Sequence, residues 1–302
     1  MIPTHTHGET LRYSVPTALG QTVGDIEVFI VGDGVPEITR AIAAEFVAAD
    51  SRVRFFDFPK GPSRGEVYRH RVLGAATGEI VCYLFDDDLW LPEHVEVMRD
   101  LLRDADFAFT RPVVVGPRGE LSAPLVDLAA PLHRHLFTDP RSATASVPTC
   151  AAHTMALYRG LPFGWRTTPR GQAPDKYMWA QCLADPDCIA RSTSRPTALI
   201  FSDPPRRHWT PSRRLAELQQ WSRGLDDQVW RRQFEQGVKQ LVEAPERRLR
   251  LVLWCYARVL RIPIARTYLI AAGKWVVGWH RARGSARLDR MAKTLPPAAR
   301  NQ

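Results

Sequence analysis

The sequence predicts an α/β fold: a Rossmann-like mixed, mostly parallel sheet flanked by helices, with a C-terminal helical extension. Two observations predict it. Over residues 1–104, short β-branched and aromatic runs alternate with apolar runs at helical spacing, the pattern of a parallel sheet covered on both faces. From Arg213 onward helical spacing dominates.

The elements follow in order. Val28-Phe29-Ile30-Val31 is a strand, stopped by Gly32-Asp33-Gly34. Pro36 to Ala49 carries Ile38, Ile42 and Phe46 at helical spacing, and Arg52 to Phe58 is strand-like again. Val67 to Ala76 reads as a helix closing at Gly78, as a C-terminal glycine would. Ile80 to Phe85 is a short buried strand that runs straight into Asp86-Asp87-Asp88. Pro92 to Arg103 is a helix with proline in its first turn. Residues 105–200 are richer in proline. There Phe107 to Val115 reads as a strand, Pro148 to Tyr158 as a strand or helix start, Arg166 to Pro174 as a mobile loop and Asp175 to Leu183 as a helix. The expected division is one globular domain at 1–215, with halves at about 1–104 and 105–215, then a basic helical region at 216–302.

The 302-residue chain is 45% hydrophobic and 24% charged, ordinary for a globular protein with a sizeable core. Its net charge of +9 would normally raise nucleic acid as a partner. The location of the charge argues otherwise. From Arg247 to the end there are 13 Lys/Arg against one acid, Asp289, a local net of +12 that leaves −3 for residues 1–246. The larger part is therefore no polyanion-binding surface, and nucleic-acid recognition is disfavoured. Cys82, Cys150, Cys182, Cys188 and Cys255 form no C-x-x-C pair and read as reduced, mostly buried thiols of a cytoplasmic protein. The opening residues lack an apolar signal region, and no apolar run of spanning length occurs.

Ligands of parallel α/β sheets gather beyond the carboxyl ends of the strands, where both Asp33 and the aspartate triplet lie. Three adjacent carboxylates resist joint ionisation, and a hard divalent cation, Mn²⁺ or Mg²⁺, removes that cost while bridging to phosphate oxygens. A solvated acidic turn capping the next helix is the plainer reading of the same residues.

Pro3 to Leu11 resembles the opening motif of family 2 glycosyltransferases. The Gln21-Thr22 pair with Asp25 to Gly34, Tyr68-Arg69-His70 with Gly74 to Glu79, and Tyr83 to Pro92 with its D-x-D-like core resemble further family motifs, in family order. The resemblance covers about the first hundred residues and implies a GT-A fold with a nucleotide-binding half and an acceptor half. By the same resemblance Pro3, Thr4 and Asp33 would meet the base, Asp33 through the imide of uracil, and Arg69 would lie near the nucleotide. Asp86 would lie near the ribose, and Asp87 or Asp88 would hold the cation. Gly32 replaces the first aspartate of the usual pair, and the first strand opens as early as Met1-Ile2.

Inverting transfer needs a carboxylate to take the acceptor proton. The resemblance assigns it to Asp175, although Pro174 stands where the family has glutamate. His208, in Arg206-Arg207-His208-Trp209, resembles a late histidine that completes the metal or diphosphate site. Arg206 and Arg207 are candidate phosphate contacts or solvated arginines.

Arg247, Arg250, Arg258 and Arg261 share one side of a helix beside apolar residues, and Trp275 and Trp279 follow Pro263. Such stripes suit a helix on an anionic membrane, at the inner face, and equally a helix pair packed on the preceding domain with arginine facing water. The implied activity is metal-assisted sugar transfer from a nucleoside-diphosphate sugar, UDP-linked by expectation, to a glycan, lipid or small-molecule acceptor. A degenerate nucleotide- or membrane-binding relative is a second reading. A sugar nucleotidyltransferase is a third, disfavoured because residues 1–20 lack a Gly-rich basic loop.

Overall fold

The computed structural model describes residues 1–242 apart from 143, 145, 202 and 203. The basic stretch from Arg247, with Cys255, Trp275 and Trp279, lies outside the described residues.

Strand β1 (Ile2–Thr4) leads to helix α1 (Leu11–Leu19), and β2 (Val28–Asp33) to α2 (Glu37–Ala49). Next come β3 (Val53–Phe58), α3 (Glu66–Leu73) and β4 (Ile80–Cys82). The two-residue β5 (Leu89–Trp90) precedes α4 (His94–Leu102), β6 (Phe107–Val115) and the short β7 (Leu121–Ser122). Helix α5 (Pro131–Thr138) precedes β8 (Ala151–Thr154), α6 (Met155–Gly160) and α7 (Pro174–Ala184). The long β9 (Ala190–Ile200) is followed by α8 (Pro211–Asp226) and a further helix from 228 to 242.

The first sheet runs β1-β2-β3, all parallel, and the second runs β4-β8-β6-β9-β5 with β7 on β6. In the second sheet β6 and β9 are parallel, while β4–β8, β6–β8, β6–β7 and β5–β9 are antiparallel. The parallel character is thus concentrated in the N-terminal half. Two backbone bonds join the sheets, Met1 N to the Cys82 carbonyl at 2.9 Å and Leu84 N to the Met1 carbonyl at 3.0 Å. β1 is therefore central, and its carboxyl end faces the segment that carries the aspartates.

Burial explains the order. All six residues of β2 are buried, as a central parallel strand covered on both faces requires. Ile2, Val15, Ile30, Ile42, Leu84, Phe107 and Trp179 belong to the main core. A second core packs Leu218, Trp221, Trp230 and Phe234 of the C-terminal helices against Leu89, Val113, Leu199 and Phe201 of the second sheet.

Three boundaries differ from expectation, the first being β4, which ends at Cys82 and not at Phe85, since Leu84 N turns to the Met1 carbonyl. Helix α3 ends at Leu73 and not at Ala76, and Gly78 does not close it: the Thr77 and Gly78 N–H groups turn to Glu27 Oε1 at 2.8 and 3.0 Å. The segment 148–158 is neither a simple strand nor a helix start. It holds a 3₁₀ turn, then β8, then α6, whose N-cap Thr154 accepts from Leu157 N at 3.1 Å. No described helix is long and apolar enough to cross a membrane. Cys82, Cys150, Cys182 and Cys188 are free thiols.

Candidate functional site

The carboxyl ends of β1 and β2 lie side by side, with Thr4 in register with Gly32. From that position Thr4 Oγ1 donates to Asp86 Oδ2 at 2.7 Å, and the next residue, His5, donates through Nδ1 to the Asp33 carbonyl at 2.5 Å. Two consecutive residues thus bind both acidic places that the sequence pattern singled out. The Asp33 carboxylate is itself occupied, by Lys60 Nζ on Oδ2 and by Gly61 N on Oδ1, both at 2.7 Å. Gly65 borders it at φ +67, and a β-carbon there would come within 2.6 Å of the Asp33 carboxyl carbon. Only glycine combines that backbone conformation with that approach.

The three aspartates differ in their surroundings. Asp88, 2% exposed, accepts Thr149 Oγ1 at 2.5 Å and Phe201 N at 2.9 Å, so both oxygens face inward. Asp86 is buried against Thr4. Asp87 is partly exposed and meets Arg214 of α8 at 3.0 Å. Burial raises the pKa of all three. Asp88 is pushed up to about 7, held back by Thr149 and the Phe201 N–H, and Asp86 is raised against the opposing pull of His7. Asp87 stands well above the carboxylate range, first by burial and then by the charges of Asp88 and Asp86. Arg214 opposes this rise at Asp86 and Asp87, and a further cation beside the cluster would oppose it more.

Arg214 donates with its other terminal nitrogen to His7 Nε2 at 2.9 Å. A cleft of about 230 Å³ opens beside this pair, lined by Thr6, His7, Thr10, Arg207, Trp209 and Arg214. Arg206 is no phosphate contact. Its fully buried side chain binds Glu217 at 2.6 Å and the Val115 carbonyl at 3.0 Å. His208 is exposed on the turn that follows, whereas the Asp87 carboxylate is met by Arg214.

Asp175 begins α7 and accepts Ser146 Oγ at 3.3 Å. Burial raises its pKa, opposed by the Lys176 N–H. Its charge acts on Arg69, a buried guanidinium 4.7 Å from the Trp165 ring centroid, with Nε unpartnered. Ahead of Asp175 lies a cleft of about 500 Å³ between Pro62-Ser63-Arg64 and the loop of Thr168, Arg170 and Gln172. The two walls are fastened by Thr168 Oγ1 to Glu66 Oε1 at 2.8 Å, with Glu66 fully buried. Thr4 and His5 thus tie Asp86 and Asp33 to the tip of β1, Asp175 acts electrostatically on Arg69, and Pro3 precedes Thr4 in β1.

Sequence reasoning missed His7, Lys60, Thr149 and Arg214. Lys60 was accessible, since Lys60 to Gly65 is a basic Gly/Pro turn beyond the carboxyl end of β3. Arg214 offered no signal, being 127 positions from Asp87. Mg²⁺ or Mn²⁺ needs hard oxygen donors and takes one or two carboxylates with phosphate and water completing the shell. The donor set fits through Asp87, the member of the triplet whose carboxylate stays partly open. Among the described residues no three His, Cys, Asp or Glu side chains converge on one point, so most of the shell would have to come from substrate and solvent.

The family described as Glycosyl transferase family 2 matches over residues 1–161. A glycosyltransferase of Nostoc sp. is 28% identical over 108 residues, which are 35% of this chain and 33% of that protein. The UDP-Glc:alpha-D-GlcNAc-diphosphoundecaprenol beta-1,3-glucosyltransferase WfgD of Escherichia coli is 24% identical over 111 residues, 36% of this chain and 42% of that protein. The chain thus aligns with less than half the length of these curated relatives. Among solved structures, S. aureus TarS superposes with a TM-score of 0.53 at 14% identity, over 73% of this chain and 62% of that chain. Its complex with UDP-GlcNAc gives 0.55 over 73% and 64%. These likenesses establish a shared GT-A-type fold.

Proposed function

Because the chain belongs to glycosyl transferase family 2, we propose that it moves a sugar from a nucleoside-diphosphate sugar to an acceptor hydroxyl with inversion. The observation that supports this reading is the pair of bonds from Thr4 to Asp86 and from His5 to the Asp33 carbonyl, which brings those two aspartates to the tip of β1. Asp33 takes the base, with Pro3 and Thr4 beside it, and Asp86 lies at the ribose. Arg69 lines the donor side. The relatives whose names carry UDP-Glc and UDP-GlcNAc favour uridine.

Asp87 is the residue that would hold Mn²⁺ or Mg²⁺, since Asp88 spends both oxygens on Thr149 and Phe201. Bound there, the ion supplies Lewis-acid stabilisation of the departing diphosphate. Asp175 takes the acceptor proton as the new bond forms at the anomeric carbon, and burial already biases it towards holding one. His208, exposed on the turn before α8, is the candidate to complete the diphosphate side. The acceptor is a glycan, lipid or small molecule. The basic residues from Arg247 onward would meet an anionic membrane at its cytoplasmic face if the acceptor is lipid-linked.

The test is calorimetry with UDP and Mn²⁺, followed by UDP release in a panel of UDP-sugars. Asp87→Ala is expected to abolish the metal-dependent part of UDP binding with the melting temperature kept. Unchanged affinity in that variant would remove Asp87 from the site. Binding without any turnover across donors and acceptors would favour a degenerate nucleotide-binding relative.

A further inference from the structure

We infer that Arg214 is a built-in cation for the donor diphosphate, so that nucleotide binding persists in part when the divalent ion is removed. The inference rests on the donor-site reading above and goes further by assigning a phosphate contact to α8, outside the residues matched by the family.

The geometry points there from three directions. First, the Arg214 side chain is only 9% exposed yet bonds two groups of the nucleotide half, Asp87 Oδ2 at 3.0 Å and His7 Nε2 at 2.9 Å. Arginine has donors only, so His7 serves it as acceptor through Nε2. Second, the residue is not sealed in. Arg214 lines the cleft of about 230 Å³ together with His7, Arg207 and Trp209, which places the residue at a surface opening. Third, the neighbouring arginine behaves differently. Arg206 has a fully buried side chain and is held by Glu217, the pattern of a structural clamp. Arg214 instead points its charge at the one aspartate of the triplet left partly open.

A guanidinium that holds a carboxylate can also bond a phosphate oxygen, since its planar fork recognises both groups. The arrival of a diphosphate at Asp87 brings negative charge to a place where burial already disfavours it. Arg214 lowers that cost whether or not a metal ion is present. The divalent ion and Arg214 are then partners on one diphosphate, each adding part of the affinity.

The experiment is calorimetry of UDP against the full chain, once in Mn²⁺ and once in EDTA, for wild type, Arg214→Gln and Arg214→Lys. Wild type is expected to bind UDP more weakly in EDTA but measurably. Arg214→Gln is expected to lose the EDTA binding and to weaken the Mn²⁺ binding by about tenfold or more, as removal of a charge-assisted phosphate contact does. Arg214→Lys is expected to fall between them. Thermal melts confirm that the variants are folded, and the wild-type EDTA titration needs no variant at all. UDP binding in Mn²⁺ that vanishes in EDTA overturns this inference and leaves the donor site intact, as does EDTA binding unaltered in Arg214→Gln. Absence of UDP binding by wild type under both conditions overturns the donor site and this inference together.

Discussion

Replacing His94 with phenylalanine should make the protein resist acid better than the wild type does. His94 is completely buried, stacked on Trp90 with ring centroids 4.3 Å apart. Its Nδ1 lies 2.7 Å from Thr197 Oγ1, whose own proton goes to Thr110 Oγ1, so Nδ1 carries the hydrogen and Nε2 is left as a buried lone pair without a partner. A proton on Nε2 would be a charge in the core with no acceptor. Burial accordingly lowers the pKa from 6.5 to about 3. The unfolded chain therefore takes up a proton below pH 6.5 that the native state refuses until about pH 3. Stability contributed by the neutral ring is complete above 6.5 and is lost as pH falls between those values. At pH 5 the loss is about 2 kcal/mol, from 1.36 kcal/mol per unit.

The buried aspartates titrate with the opposite sign. Their raised pKa values make the native state the better proton binder, so acid relieves them. A pH slope of the wild type alone is therefore ambiguous, and the comparison has to be between two proteins that share those aspartates. Phenylalanine keeps the stack on Trp90 and removes only an acceptor's partner at Thr197. The assay is urea unfolding followed by tryptophan fluorescence at pH 7 and at pH 5. His94→Phe should gain about 2 kcal/mol on wild type between the two conditions. Parallel pH dependences for the two proteins would refute the assignment of a neutral, partnerless ring.

Asp175→Asn should keep UDP affinity while transfer falls by about 10²–10⁴-fold, measured as UDP release with acceptor present. In the wild type the acidic limb of kcat/KM should lie above the ordinary aspartate value of 3.8, because the base must be ionised and burial raises its pKa. An acid limb unmoved from that value would place the proton acceptor elsewhere. Arg206→Ala should lose about 2–4 kcal/mol of stability in denaturant titration, since it empties a fully buried site and leaves the partly buried Glu217 without this partner, yet leave UDP affinity in the folded protein unchanged.

Strands β2, β3 and β6 were legible because their runs are β-branched, aromatic and bounded by turn residues, and such runs have few other ways to be buried. The segment 148–158 was not, because a 3₁₀ turn, a strand and a helix pass within it, each shorter than a period can register. Gly78 misled for a physical reason: it serves a loop fastened by Glu27, not a helix end. In the site, Asp33 and the aspartate triplet were readable because Asp33 closes β2 and the triplet follows the apolar run that contains β4. Their division of labour was not, since it depends on Thr149, Phe201 and Arg214, which only tertiary structure brings near. The second sheet's antiparallel pairings were likewise invisible to local pattern.

The bond between Glu66 and Thr168 is a strut across the mouth of the larger cleft. Glu66 follows Gly65, which touches the Asp33 carboxylate, and Thr168 lies on the loop that delivers Asp175. A displacement at the Asp33 carboxylate would therefore be passed through Gly65, Glu66 and Thr168 to the loop that leads to Asp175.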